Sequence, residues 1–157
     1  MINNMKYLLD SDTITAVFDP KSIFFEIAKK HLAQLNEEDE IYISILSIYE
    51  LEFSLYNAKD KIVKKKIKNL IFDLKDIFNI LPLSPEAARY YGALKSGFQK
   101  STGINRKAIK KHNIDIMIAA TALDYDCILV AKDGIYNDHL ALINKQLKIE
   151  DWTIEVK

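Results

Sequence analysis

Four acidic side chains spread along the chain carry the potential for chemistry: Asp10, Glu50, Asp115 and Asp133. Carboxylates are hard oxygen ligands, the kind that suit Mg²⁺ or Mn²⁺ with waters completing the shell. Gathered without a cation they would oppose one another. Two unit charges roughly 4 Å apart repel by about 4 kcal/mol at an effective dielectric of about 20, so a bare cluster raises its own pKa values or moves apart. A divalent ion removes that cost. Held in this way, it can activate water and clamp a phosphodiester for in-line attack. Whether the four acids meet depends on the elements that carry them.

Tyr7-Leu8-Leu9 is a short apolar run closed by Asp10 and reads as a buried strand. Asp12 and Thr13 can cap a short helix that ends near Asp19-Pro20. Ile23, Ile27, Ala28, Leu32 and Leu35 repeat with helical spacing over 21–35. The β-branched and aromatic run 41–45 is a second strand, and Ile48, Leu51, Leu55 and Tyr56 mark a helical face after it. Residues 60–77 form a Lys-rich amphipathic helix with Ile62, Ile67, Leu70, Ile71 and Leu74 turned inward. Residues 80–83 are a third strand. Ser84, Pro85 and Glu86 then supply a cap, a first-position proline and a first-turn acid for a helix to about Lys100. The polar, basic stretch 101–112 reads as a loop, Asn113 as the cap of a helix through Leu123, and 127–131 as a fourth strand. A last short strand falls within 147–154.

Strands alternating with helices imply βα units and a parallel sheet, here a three-layer α/β/α arrangement. The apolar run Ile128-Leu129-Val130 suits a strand covered on both faces. Ligands of such sheets sit at the carboxyl ends of the strands, where the N-termini of the connecting helices also point. Asp10 closes strand one, Glu50 lies early in the helix after strand two, Asp115 opens the helix before strand four, and Asp133 follows strand four. All four fall at one rim.

Each acid has a plainer alternative. Asp10 can be a polar strand end or a helix cap. Ser47-Ile48-Tyr49-Glu50 matches a capping box. Asp115 can complement a helix dipole, and Asp133-Gly134 is a common turn dipeptide. Only the shared rim favours the joint reading.

The chain has 157 residues, the size of one domain, so 1–157 is expected to be a single unit. One cysteine, Cys127, excludes a disulfide framework and a Cys-based zinc site. Lys+Arg and Asp+Glu balance at 22 each, so net charge announces no polyanion, though a local patch can still bind one. The four glycines (Gly92, Gly97, Gly103, Gly134) make neither a P-loop nor a dinucleotide fingerprint, which argues against nucleotide-dependent enzymes. No apolar run reaches the roughly 18 residues of a membrane span. No secretory leader pattern is visible at the start. A soluble, cytoplasmic protein is the expectation.

The ordered blocks resemble the PIN-domain family. Tyr7-Leu-Leu-Asp-Ser-Asp-Thr-Ile14 is similar to its opening strand and acid, and Ile43-Ser-Ile-Leu-Ser-Ile-Tyr-Glu-Leu51 to its second block. Asn113-Ile-Asp-Ile-Met-Ile-Ala-Ala-Thr-Ala122 resembles the third block closely, and Ile128-Leu-Val-Ala-Lys-Asp133 the fourth. The ending Leu147-Lys-Ile-Glu-Asp-Trp152 is similar to the closing strand of VapC-type toxins within that family. The resemblance implies a PIN fold and a Mg²⁺- or Mn²⁺-dependent ribonuclease, commonly the toxin of a toxin–antitoxin pair. It makes Asp10, Glu50 and Asp115 the metal-binding and catalytic core, with Asp133 as a fourth member and Asp138 as its substitute. Two departures stand out. Asp12 occupies a position where Asn is more common, as an extra ligand or a cap, and Ala131 stands where Thr or Ser often follows the strand.

Arg106, Lys107, Lys110 and Lys111 lie just before Asp115 and can meet an RNA backbone or form a solvated loop. Lys61, Lys64, Lys65, Lys66 and Lys68 read as a solvated helix face. His112 is near the site but alone. Phe24, Phe25, Phe53, Tyr56 and Phe72 should be mostly core, with some forming a groove for an antitoxin helix or a homodimer contact, as the resemblance implies. The alternative function is a PIN-like module that binds RNA or protein without cleaving.

Overall fold

A computed structural model describes residues 4–155. In chain order its elements are β1 (Lys6–Leu9), α1 (Ser11–Phe18), α2 (Phe25–Ala33), β2 (Glu40–Ser44), α3 (Ile45–Asn57), α4 (Lys61–Ile77), β3 (Asn79–Leu81), α5 (Pro85–Thr102), α6 (Asn113–Asp124), β4 (Ile128–Val130), α7 (Ala141–Ile143) and β5 (Lys148–Glu150). A 3₁₀ turn (Ala108–His112) precedes α6, and a π-helical turn (Ile135–Leu140) precedes α7.

The strands form one parallel sheet in the order β3-β2-β1-β4-β5. Alternation along β1 decides the layers. Leu8 joins Leu129, Leu94, Phe98, Ile116, Tyr136 and Leu140 on the α5–α6 side, while Tyr7 and Leu9 join Ile14, Ile43, Leu74, Val130 and Trp152 on the other. Helices cover both faces, as the apolar strand runs require. Among the described residues no helix is long and apolar enough to cross a membrane.

Strand order, more than layering, decides where the acids meet. From β1 the chain walks outward through β2 to β3, then returns to place β4 on the far side of β1. The β1–β4 boundary is therefore the point where the winding reverses, and the carboxyl ends of these two strands face the crevice where such sheets take ligands. The Asp10 amide donates to the Val130 carbonyl at 3.0 Å, and the Thr13 hydroxyl to the same carbonyl at 2.9 Å, so the crevice is stitched across that boundary.

Several local expectations are corrected. Asp10, not Asp12 or Thr13, caps α1: its carboxylate accepts from the Asp12 amide at 2.7 Å. The capping box at Ser47 does not form, because Ser44 caps α3 through the Leu46 amide and puts Glu50 beyond the first turn. Asn113 begins α6 without capping it; its side-chain oxygen accepts from the Tyr91 hydroxyl instead. The 101–112 stretch is only partly loop: α5 runs to Thr102, stops at Gly103 in the left-handed region (φ 71°), and 108–112 coil into the 3₁₀ turn. β3 ends at Leu81, before Pro82, which has no amide to donate. β5 ends at Glu150, where the Asp151 side chain captures the Thr153 amide in a turn. Ile62 is exposed, whereas α4 is half-buried at Ile67 and Leu70 and fully buried at Ile71 and Leu74, in its later turns. Phe53, Tyr56 and Phe72 are exposed rather than core, and Phe24 and Phe25 are half-buried. Lys61, Lys64, Lys65, Lys66 and Lys68 of α4 are all exposed, as expected.

Candidate active site

Asp10 sits at the crevice because β1 ends there and α1 must begin. Only 5% of its surface is exposed. One oxygen is committed to the Asp12 amide. Burial is the main force on it, and the neighbouring charges, Asp12 and Asp115, are both negative. The Asp12 amide and the Tyr136 hydroxyl ease the charge, yet its pKa is still pushed up to about 7. A carboxylate in this state is short of a positive partner.

Asp115 reaches the same place from the first turn of α6. It is half-buried, and desolvation again raises its pKa. The Tyr136 hydroxyl donates to its Oδ1 at 3.1 Å. Asp133 and Glu50 add negative field at Asp115, and His112 counters them. His112 itself lies edge-on to Phe98, with ring centroids 5.4 Å apart.

Glu50 comes from α3 and is steadied by α1: the Ser11 hydroxyl donates to its Oε1 at 2.9 Å and lies 3.3 Å from the Ser47 hydroxyl. Ser11, Ser47 and Glu50 line a pocket of about 200 Å³. Asp133 is exposed and holds its own turn, accepting from the Ile135 amide at 3.0 Å. Its charge reaches Asp115, whereas Asp138, on the next turn, is not among the charges acting there. Asp12 is exposed in the first turn of α1, close enough for its charge to be felt by Asp10. Ala131 is buried and brings no hydroxyl to the strand end. Among the described residues, no three acids, histidines or cysteines already stand close enough to form a ready-made metal cage. The four acids are thus electrostatic neighbours rather than a closed ligand shell.

The basic residues divide. Arg106, Lys107 and Lys110 share a cleft of about 590 Å³ with Lys95 and Gln99 of α5. Lys111 does not line it. Lys95 and Tyr136 carry no signal in the sequence that would single them out. The first lies in a helix whose inner face dominates its pattern, and the second in a polar turn with no periodicity.

The PIN domain family model matches residues 7–139. The chain belongs to the PIN-domain family. All four acids fall inside the matched span. Solved structures share the PIN fold seen here. VapBC2 from Rickettsia felis, bound to a DNA fragment from their promoter, superposes with a TM-score of 0.71 at 21% identity, over 94% of this chain and 99% of that one. VapBC-1 from nontypeable Haemophilus influenzae gives 0.71 at 21%, over 96% and 100%. VapBC-5 from Mycobacterium tuberculosis, a member of the VapBC family of toxin-antitoxin systems, gives 0.62 at 19%, over 96% and 98%. At such identities the likeness is one of fold. No curated protein sequence matches the chain. The expected three-layer PIN architecture is borne out.

Proposed function

We propose that this PIN domain, acting as one unit over residues 1–157, is a metal-dependent endoribonuclease that hydrolyses RNA phosphodiester bonds as the toxin of a type II toxin–antitoxin pair. The observation that carries the reading is Asp10. It is buried at the winding reversal, pushed up to about 7, and acted on by like charges. The donor set fits Mg²⁺ or Mn²⁺: every candidate is a carboxylate oxygen, and Asp115 shares its field with Asp10, Asp133 and Glu50. Asp10, Glu50, Asp115 and Asp133 are the residues that would hold the ion. Bound there, it would lower the pKa of water and polarise a phosphate oxygen.

The chain's own groups do the rest. Ser11 fixes one oxygen of Glu50 and leaves the other outside that hydrogen bond. The Asp12 amide fixes one oxygen of Asp10 in the same way. Lys95, Arg106, Lys107 and Lys110 bind the RNA backbone in their cleft and deliver a phosphodiester toward Asp115. Partners follow from surfaces. Tyr49, Phe53 and Tyr56 expose an apolar stripe along α3, with Ile62 and Phe72 exposed on α4. This surface takes an amphipathic antitoxin helix. A homodimer and a cytoplasmic location complete the proposal.

The test is cleavage of RNA by purified protein in Mg²⁺, Mn²⁺ or EDTA, beside Asp10→Asn and Asp115→Asn. Activity with metal, lost in EDTA and in both variants while they stay folded, supports the reading. Activity persisting in EDTA refutes the metal role. RNA binding without cleavage in either metal would mark a binding module instead.

A further inference from the structure

Tyr136 has no surface exposed and belongs to the π-helical turn that follows β4. Single π turns of this kind recur at functional sites. Its ring packs within the α5–α6 layer with Ile116 and Leu140. A phenylalanine would fill that space equally well, so the hydroxyl is the part that core packing does not require. A buried hydroxyl without a partner is costly. This one donates to Asp115 Oδ1 at 3.1 Å, and the same group interacts with the Asp10 carboxylate.

We propose that Tyr136 is a positioning residue for the metal-holding acids: its hydroxyl, donated to Asp115 and facing Asp10, sets the spacing and orientation of the two carboxylates. The proposal rests on the nuclease reading above. One donated proton standing between two acids lowers their mutual repulsion. Occupying one oxygen of Asp115 also leaves the other as the one available to a cation. Outer donors of this type, when removed, typically weaken metal affinity or activity by roughly 10–100-fold.

Tyr136→Phe keeps the ring and deletes the donor. Mn²⁺ affinity is measured by calorimetry on EDTA-stripped wild type and variant, with kcat and KM for RNA alongside. The expected result is Mn²⁺ binding weaker by about tenfold, a kcat deficit recovered by excess Mn²⁺, and an unchanged KM. Equal Mn²⁺ affinity overturns the proposal, whatever happens to thermal stability, because a purely structural hydroxyl would alter only stability. Should the variant not fold, the wild-type protein decides. The Tyr136 ring Cζ resonance of isotope-labelled wild type must shift and saturate during a Mg²⁺ titration, and an unmoved resonance overturns the proposal. If wild type binds no Mn²⁺ at all, the nuclease reading fails and this proposal with it. Binding by wild type and variant alike sinks the positioning role alone.

Discussion

Asp10→Asn should stabilise the metal-free protein, and increasingly so as pH rises. The folded carboxyl titrates at about 7 against an ordinary 3.8, mainly because it is buried. The folded state therefore holds this proton more tightly than the unfolded state. The stability tied to that proton is fully present below the unfolded pKa and is lost as pH climbs through about 7. At about 1.4 kcal/mol per pH unit of displacement, ionised Asp10 costs the folded protein about 4 kcal/mol at pH 8. Near pH 4.5 the cost is only about 1 kcal/mol, because the unfolded carboxyl has just begun to favour ionisation. Asparagine keeps an oxygen for the Asp12 amide and carries no charge, so it escapes the loss. For a chain of this length about 4 kcal/mol corresponds to roughly 10 °C in Tm. The assay is thermal unfolding in EDTA across that pH range, with the variant-minus-wild-type difference isolating this one group. Saturating Mg²⁺ should close the gap, since wild type gains binding energy that the variant lacks. A difference that stays flat with pH, or a variant less stable than wild type at pH 8, would refute the reasoning.

Other outcomes can be checked in parallel. Ser11→Ala frees Glu50 from its 2.9 Å hydrogen bond and should cut metal-dependent cleavage by about tenfold. Its unfolding temperature should hold within about 3 °C, as expected for losing one half-buried hydrogen bond. Arg106→Ala and Lys110→Ala should each weaken binding of a single-stranded RNA in EDTA and flatten its log–log salt slope by about 0.7, whereas Lys111→Ala, outside the cleft, should do less. Trp152→Ala removes a fully buried ring packed 5.7 Å from Tyr7 and should cost about 3–5 kcal/mol in denaturant unfolding. Phe53→Glu on the exposed α3 face should abolish binding of the proposed antitoxin helix while leaving Tm unchanged within about 2 °C.

What could be read directly from residue order was whatever local chemistry decides. Ser84-Pro85-Glu86 started a helix at the expected residue, and the lysines of α4 faced solvent because nothing local competes with hydration there. The strand cores were visible because their apolar runs are covered on both faces. Errors arose where two local signals compete. Ser44 and Ser47 could each cap α3, and the strand's end chose the first. Asp10 and Asp12 could each cap α1, with the same result. Ile62 follows the helical stripe of α4, but the helix stands away from the body at that end, a tertiary fact that periodicity does not carry. Of the acids, the shared rim followed from topology alone. That they are spread as electrostatic neighbours, not closed into a cage, did not follow. Tyr136 was invisible because its meaning lies in a partner 21 residues upstream, and an aromatic in a polar turn has no pattern to mark it.

The pairing of β1 with β4 joins Tyr7–Leu9 to Ile128–Val130, and Thr13 reaches across 117 positions to the Val130 carbonyl. A growing polypeptide exposes Asp10 and Glu50 before β4, the neighbouring wall of their crevice, has been made. Contacts so distant in order form late, after the intervening loops have closed. An unfinished chain has the ingredients without the vessel. Chains cut short before β4 would therefore lack the assembled crevice.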